Sequence, residues 1–247
     1  MLIQPVLQQL HALRLNGMAT ALEHQLAAGL QDPLSFEDRL AMLLQHEVTE
    51  RASYRLSQRL RYAKLPLPAC LEDLDTKTPR GITQPQLAQL TDLAWLREHL
   101  NVLITGPTGV GKSYLAAALA HAACRADFTV RCFRLPRLVD ELARHTALQR
   151  RSTFFRQLAK ADLLVLDDFG IAPLADAVVR DLLEVLDDRY DRRATLITSQ
   201  LPLDQWHAAL DRLVHNAYKL ELKRDSMRKR KSINSAPMAA QHRAPER

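Results

Sequence analysis

The chain has 247 residues, 47% of them apolar and 25% charged, with a formal net charge of +6 and an isoelectric point near 9.4. That length allows one sizeable core plus a smaller accessory domain. No apolar run approaches the roughly 18 residues a membrane span needs, and the opening residues lack the basic and apolar regions of a signal peptide. Cys70, Cys124 and Cys132 form no C-x-x-C pair, which fits packing roles in a reducing cytoplasm, and the basic excess favours an acidic partner such as nucleic acid.

Residues 1–68 read as a small all-helical domain. Leu7, Leu10, Leu13 and Met18 recur at helical spacing, as do Leu22, Leu26 and Leu30. A break follows at Gln31, Asp32 and Pro33. Ser35 then caps a new helix, with Asp38 three residues on making an imperfect capping box, and Leu40, Leu43, Leu44 and Val48 are expected to be its buried stripe. Arg51, Arg55 and Arg59 fall on one face of that helix, beside Arg61, Tyr62 and Lys64, in a stripe that can track a phosphate backbone. Pro66 and Pro68 end the region. Residues 70–86, with Pro79, Gly81 and Pro85 among polar residues, read as a connector.

From residue 87 the pattern alternates helix and strand, which argues a parallel sheet covered on both faces. Residues 101–105 form a short apolar strand, and Gly106, Pro107, Thr108, Gly109, Val110, Gly111, Lys112 and Ser113 match G-x-x-x-x-G-K-[ST] without a mismatch. Such a loop turns backbone N–H groups toward phosphate oxygens at the start of a helix. Lys112 would reach the β- and γ-phosphates, and the Ser113 hydroxyl would take a Mg²⁺ position. Residues 128–133 have strand character, and one helix is expected from Pro136 to about Arg151. Residues 162–167 form an apolar strand ending in acid. There Asp167 suits Mg²⁺, and Asp168 is placed to polarise an attacking water as a general base. A helix over 174–190 and an apolar strand over 194–199 follow.

The class of P-loop protein follows from what comes next. Neither an N-K-x-D base-reading motif nor an L-S-G-G-Q signature is present, which argues against a GTPase and an ABC transporter. Thr198, Ser199 and Gln200 close the last apolar strand where a polar residue can sense the γ-phosphate, and Arg212 and Arg228 lie beyond it. Arg131, Arg134, Arg137 and Arg144 form a second basic cluster, and residues 223–231 hold a third. No base-reading motif accompanies them, so double-stranded DNA would be recognised by backbone and shape.

In order along the chain, Leu13 to Ala19, Leu34 to Leu40, the P-loop, residues 163–170, Thr198-Ser199-Gln200-Leu201-Pro202, Asp211 to Ala217, Glu221-Leu222-Lys223 and Ser226-Met227-Arg228-Lys229 resemble the IstB-like family of AAA+ ATPases. These are transposition helpers of bacterial insertion sequences, related to DnaC helicase loaders. The resemblance implies an α/β AAA+ core over residues 69–232 with sheet order 5-1-4-3-2, behind the helical domain and before a tail at 233–247. It implies a cytoplasmic ATPase using ATP and Mg²⁺, an ATP-dependent homo-oligomer on DNA, and a transposase as partner. It makes Arg212 a finger reaching a neighbour's nucleotide, and Arg228 and Ser199 nucleotide sensors. The alternative is a DnaC-like helicase loader, which shares the core. The chain departs from the family pattern where Ala208-Ala209-Leu210 alone separates Trp206-His207 from Asp211-Arg212, a shortening that points to weakened turnover. It departs again at Arg151-Ser152-Thr153-Phe154, where a Gly-Ser-Tyr turn is usual.

Overall fold

A computed structural model describes residues 3–27, 34–75, 81–170, 174–203, 206 and 214–223. The chain divides into two compact units, Met1–Arg61 and Tyr62–Arg247.

In the first unit, helix α1 spans Ile3–Ala12, α2 Asn16–Ala27 and α3 Phe36–Ala63. Arg14, at φ 58°, ends the first turn, and the Leu15 N–H donates to the Leu10 carbonyl at 2.8 Å. Ser35 caps α3 by accepting from the Asp38 N–H at 3.1 Å. Its own hydroxyl donates to the Asp38 carboxylate, so the acid answers the cap without reaching back to the backbone.

The expected buried stripe of α3 is a correction. Leu40 is 38% exposed, Leu44 50% and Val48 58%. Against the start of α2 it is Glu47, 6% exposed, that α3 buries. A Cβ on Gly17 would lie 2.8 Å from Glu47 Cα, so the contact is backbone against backbone over a glycine. Glu47 Oε2 accepts from the Met18 N–H at 3.1 Å, and Oε1 from Arg51 Nε at 2.6 Å. Burial pushes this carboxyl up, but the hydrogen bonds from Arg51 and Met18 outweigh it and hold the acid below its usual range. A carboxylate at the first turn of α2 also complements that helix's dipole.

The second unit is built on a five-stranded, wholly parallel sheet in the order β2-β3-β4-β1-β5: β1 Asn101–Thr105, β2 Val130–Arg134, β3 Leu163–Phe169, β4 Ala194–Ser199 and β5 Ala217–Glu221. This is the expected order read from the other edge. All residues of β1 and β4 are buried, as central strands covered on both faces must be. Helix α4, Gln84–Thr91, begins inside the stretch read as a connector. Pro85 sits in its first turn, where proline is tolerated, and Thr83 and Gln86 complete a capping box. Helix α5 is Ala94–Arg97, and α6, Lys112–Arg125, follows β1.

The single helix expected after β2 is two. Helix α7 is Leu135–Ala147 and α8 is Arg151–Lys160, parted by Gln149 at φ 56°. Helix α8 buries Phe154, Phe155 and Leu158, and Arg151 bonds to Asp181 at 2.7 Å and Glu184 at 2.6 Å on α9, Asp176–Arg189. Among the described residues no helix is long and apolar enough to cross a membrane.

Arg189, 1% exposed, stands at the end of α9, and among the described residues its hydrogen-bond partners are carbonyls and a hydroxyl. Its guanidinium donates to the carbonyls of Leu158 at 2.6 Å, Ala161 at 2.7 Å and Ala194, and to Thr195 Oγ1 at 3.1 Å. Burial, reinforced by Arg193, pushes the guanidinium down to about 9, so it stays charged at neutral pH. It collects carbonyls from the end of α8 and the start of β4, joining three elements. Arg189→Ala leaves several buried acceptors unpaired and is expected to cost about 3 kcal/mol, lowering the midpoint by roughly 6–12 °C in thermal unfolding followed by circular dichroism. A midpoint within about 2 °C of the parent's would show that water replaces the guanidinium without loss.

Candidate nucleotide-binding site

Residues 106–111 form the loop that leaves β1 and opens α6. Gly106, at φ 140°, passes so close to the residue after β5 that an added Cβ would lie 2.2 Å from the Leu222 carbonyl oxygen. Gly111, at φ 97°, is the N-cap of α6, a left-handed position that L side chains rarely adopt. Lys112 opens the helix, 6% exposed, and its ammonium donates to the Gly106 and Pro107 carbonyls at 2.7 and 2.8 Å. Burial lowers its pKa, while Asp168 and Asp167 pull it back up. The lysine charge therefore sits within the field of both acids.

The acids lie across the loop at the end of β3. Ser113 Oγ donates to Asp167 Oδ1 at 2.8 Å, and Thr198 Oγ1 donates to the same oxygen. One carboxylate and a hydroxyl so placed form a hard-oxygen pair suited to Mg²⁺, an ion that keeps water and phosphate oxygens as its other ligands. Among the described residues no group of three or more His, Cys, Asp or Glu could hold a metal by itself. Asp168 has φ 62°, and the register of β3 on β4 shifts between Leu166 and Phe169. The strand therefore bulges at Asp168 and turns its carboxylate away from the metal-side acid, a kind of backbone strain that clusters at functional sites. That carboxylate is held by Arg134 at the end of β2, through Nε at 2.9 Å and also through Nη2. Nothing in the local sequence pairs these two; the parallel register of β2 on β3 does.

A cavity of about 710 Å³ opens over these groups, within the usual range for small-ligand sites. Thr108, Ser113, Asp167, Asp168 and Gln200 line one part, and Lys64, Leu67, Phe133, Arg134, Arg137 and Glu141 another. The polar residue offered to it just after β4 is Gln200, whose Oε1 accepts from Thr108 Oγ1 at 2.6 Å. Ser199 is a correction. It is fully buried, its hydroxyl donates to the Phe169 carbonyl at 2.8 Å and accepts from the Leu201 N–H at 3.0 Å, so it braces the strand ends. Period-two alternation along β4 puts Ser199 and Gln200 on opposite sides, and sequence alone did not say which side faced the loop. Arg212 and Arg228 lie outside the described residues.

The second basic cluster also changes. Arg131, 8% exposed, has its guanidinium 4.7 Å from the Tyr62 ring centroid and 4.9 Å from that of Phe133. It packs as a cation–π layer and is not presented to a phosphate chain. Arg134 holds Asp168, Arg144 pairs with Glu141, and Arg137 remains exposed beside the cavity. In the first stripe Arg51 is committed to Glu47, whereas Arg55 is exposed. Of the third, Lys223 pairs with Glu221 at 3.1 Å, and residues 224–231 lie outside the described residues. All three cysteines are free thiols, with Cys124 and Cys132 buried and the Cys132 thiol pushed up by burial.

Solved structures share this parallel sheet and the helices around it. AMPPCP-bound DnaA from Aquifex aeolicus superposes with a TM-score of 0.57 over 69% of this chain and 55% of its own, at 19% identity. The DnaC helicase loader gives 0.50 over 66% and 99%, at 22% identity. Likeness in sequence is stronger. The insertion sequence ATP-binding protein y4pL of Sinorhizobium fredii is 42% identical over 239 residues, covering 93% of this chain and 98% of that protein. The ATP-binding protein of insertion sequence IS1162 from Pseudomonas fluorescens is 45% identical over 203 residues, 82% and 88% of the two chains. Residues 8–235 match the family described as IstB-like ATP binding protein, and with relatives this similar over nearly their whole length, the chain belongs to that family.

Proposed function

We propose that this protein hydrolyses ATP, assembles on double-stranded DNA in an ATP-dependent way and assists a partner transposase. The observation that carries the reading is the acid pair facing the P-loop, with Ser113 and Asp167 joined at 2.8 Å and Asp168 turned apart from them. Binding alone needs the loop; a second carboxylate beside the first supplies a base. Lys112 and the α6 N-terminus hold the β- and γ-phosphates. Ser113 and Asp167 would hold Mg²⁺, which when bound neutralises charge on those phosphates. Asp168 accepts a proton from water as its oxygen attacks the γ-phosphorus and ADP leaves. For that the carboxylate must part from Arg134. Arg212 is the candidate finger from a neighbouring subunit, which ties hydrolysis to assembly, and Arg228 a candidate nucleotide sensor.

The transposase as partner rests on the insertion-sequence relatives, which favour it over a helicase. Pull-down with an insertion-sequence transposase should capture this protein with ATP and DNA, and less with ADP. Capture of a replicative helicase instead would select the loader reading.

DNA contact is expected to be electrostatic. Binding to duplexes of unrelated sequence should weaken steeply with salt, and reversing Arg55 and Arg59 to Glu should reduce the slope of log K against log salt by about two. Fluorescence anisotropy measures this, and an unchanged slope would assign that face to solvent.

A further inference from the structure

We infer that Thr198 is a positioning residue that sets the geometry of both acids at once, the metal-side Asp167 and the base Asp168. The inference rests on the hydrolysis reading above and adds a residue to it. Three observations converge on one hydroxyl. First, Leu166 pairs with Ile197 and Phe169 with Ser199, so β3 carries one residue more than β4 across this stretch. Second, the extra residue region contains Asp168 in the left-handed conformation. The residue a bulge adds is left out of the regular ladder, so a half-buried N–H there needs another partner. Third, that partner is Thr198 Oγ1, which accepts from the Asp168 N–H at 3.1 Å while giving its own proton to Asp167 Oδ1.

Thr198 is fully buried, and its hydroxyl has no role at the protein surface. The hydroxyl gives its one proton to the Asp167 carboxylate and accepts from the Asp168 backbone N–H, so the one oxygen ties the side chain of the first acid to the backbone of the second. Serine could make both bonds, since the hydroxyl suffices. Valine fills nearly the same volume and makes neither. Without the oxygen the Asp168 N–H is left to find another acceptor, and the bulge that aims its carboxylate loses its support. The metal-side acid keeps its bond from Ser113, so nucleotide binding has an independent anchor. The consequence is specific to chemistry: the base moves while the phosphates stay held.

The test compares Thr198→Val and Thr198→Ser with the parent, under conditions where all three show the same circular dichroism. In Thr198→Val, kcat should fall about 10–100-fold, as expected for a displacement of around 1 Å, with KM for ATP changed less than about threefold. Thr198→Ser should recover kcat to within about threefold of the parent. The amide of Asp168, followed by NMR hydrogen exchange, should be protected in the parent and Thr198→Ser and exchange faster in Thr198→Val. If Thr198→Val does not fold, Thr198→Ala carries the same comparison. An active parent whose hydroxyl-less variant keeps full kcat overturns the positioning role and leaves the hydrolysis reading standing. A parent that binds ATP without turning it over overturns the hydrolysis reading and the catalytic part of this one. Equal amide protection in all variants overturns the geometric part.

Discussion

Lys112→Ala is expected to abolish ATP binding, reducing affinity at least about 100-fold and leaving no turnover. The ammonium is the charge that can meet the β- and γ-phosphates, and charge-assisted hydrogen bonds of this type contribute about 1.5–3 kcal/mol each. The side chain now donates to the Gly106 and Pro107 carbonyls, within reach of the loop that would hold the ligand. Its removal should therefore be felt by the nucleotide far more than by the fold. The three loop glycines with positive φ, Gly106, Gly109 and Gly111, stay in place, and α6 keeps its buried alanines, Ala116, Ala117, Ala118, Ala120 and Ala123 among them. Titration calorimetry with ATP and Mg²⁺, alongside thermal unfolding, separates the two effects. Near-parental affinity in a folded mutant would remove the P-loop assignment.

Asp168→Asn should leave ATP affinity close to the parent's while slowing phosphate release about 10²–10⁴-fold, the usual worth of a general base. Asparagine tolerates the left-handed conformation as aspartate does, so the bulge is retained. The amide oxygen can still accept from Arg134, so the side chain should keep its place. What it loses is the capacity to take a proton. Asp167, Ser113 and Lys112 are untouched, which is why binding should survive. Equal turnover in mutant and parent would move the base elsewhere. The ion pair with Arg134 adds an internal control, because Arg134→Ala releases the carboxylate without altering its chemistry and should not reproduce the loss.

What the sequence determined by itself was the chemistry of contiguous motifs. The P-loop was legible because its eight positions are contiguous and their glycines answer backbone demands of one turn. The strand ending in Asp167 and Asp168 was legible because a central parallel strand must be apolar along its length and polar only where it emerges. Burial misled the reading on α3, where Leu40, Leu44 and Val48 follow helical spacing yet stay exposed and Leu43 is half-buried, because periodicity names a face without naming a partner. Helix α8 was missed because the helix expected to end near Arg151 breaks at Gln149 and resumes, with Arg151 bonded to Asp181 and Glu184 some thirty residues away.

Only the tertiary structure decided which side chains meet. Strand register brought Arg134 to Asp168 and Thr198 to both acids. The sequence showed three polar residues at the end of β4, but their division of labour depends on which side of the sheet each faces. Thr198 holds the acids, Ser199 braces the strand ends and Gln200 lines the cavity. Arg189 and Arg131 looked like any surface arginine, and became structural because the surrounding elements offered carbonyls to one and aromatic faces to the other. A chain writes its backbone conformation locally, through spacing and turn chemistry. The partner of a hydrogen-bonding side chain is set by register between strands far apart in sequence, and that register exists only once the sheet has formed.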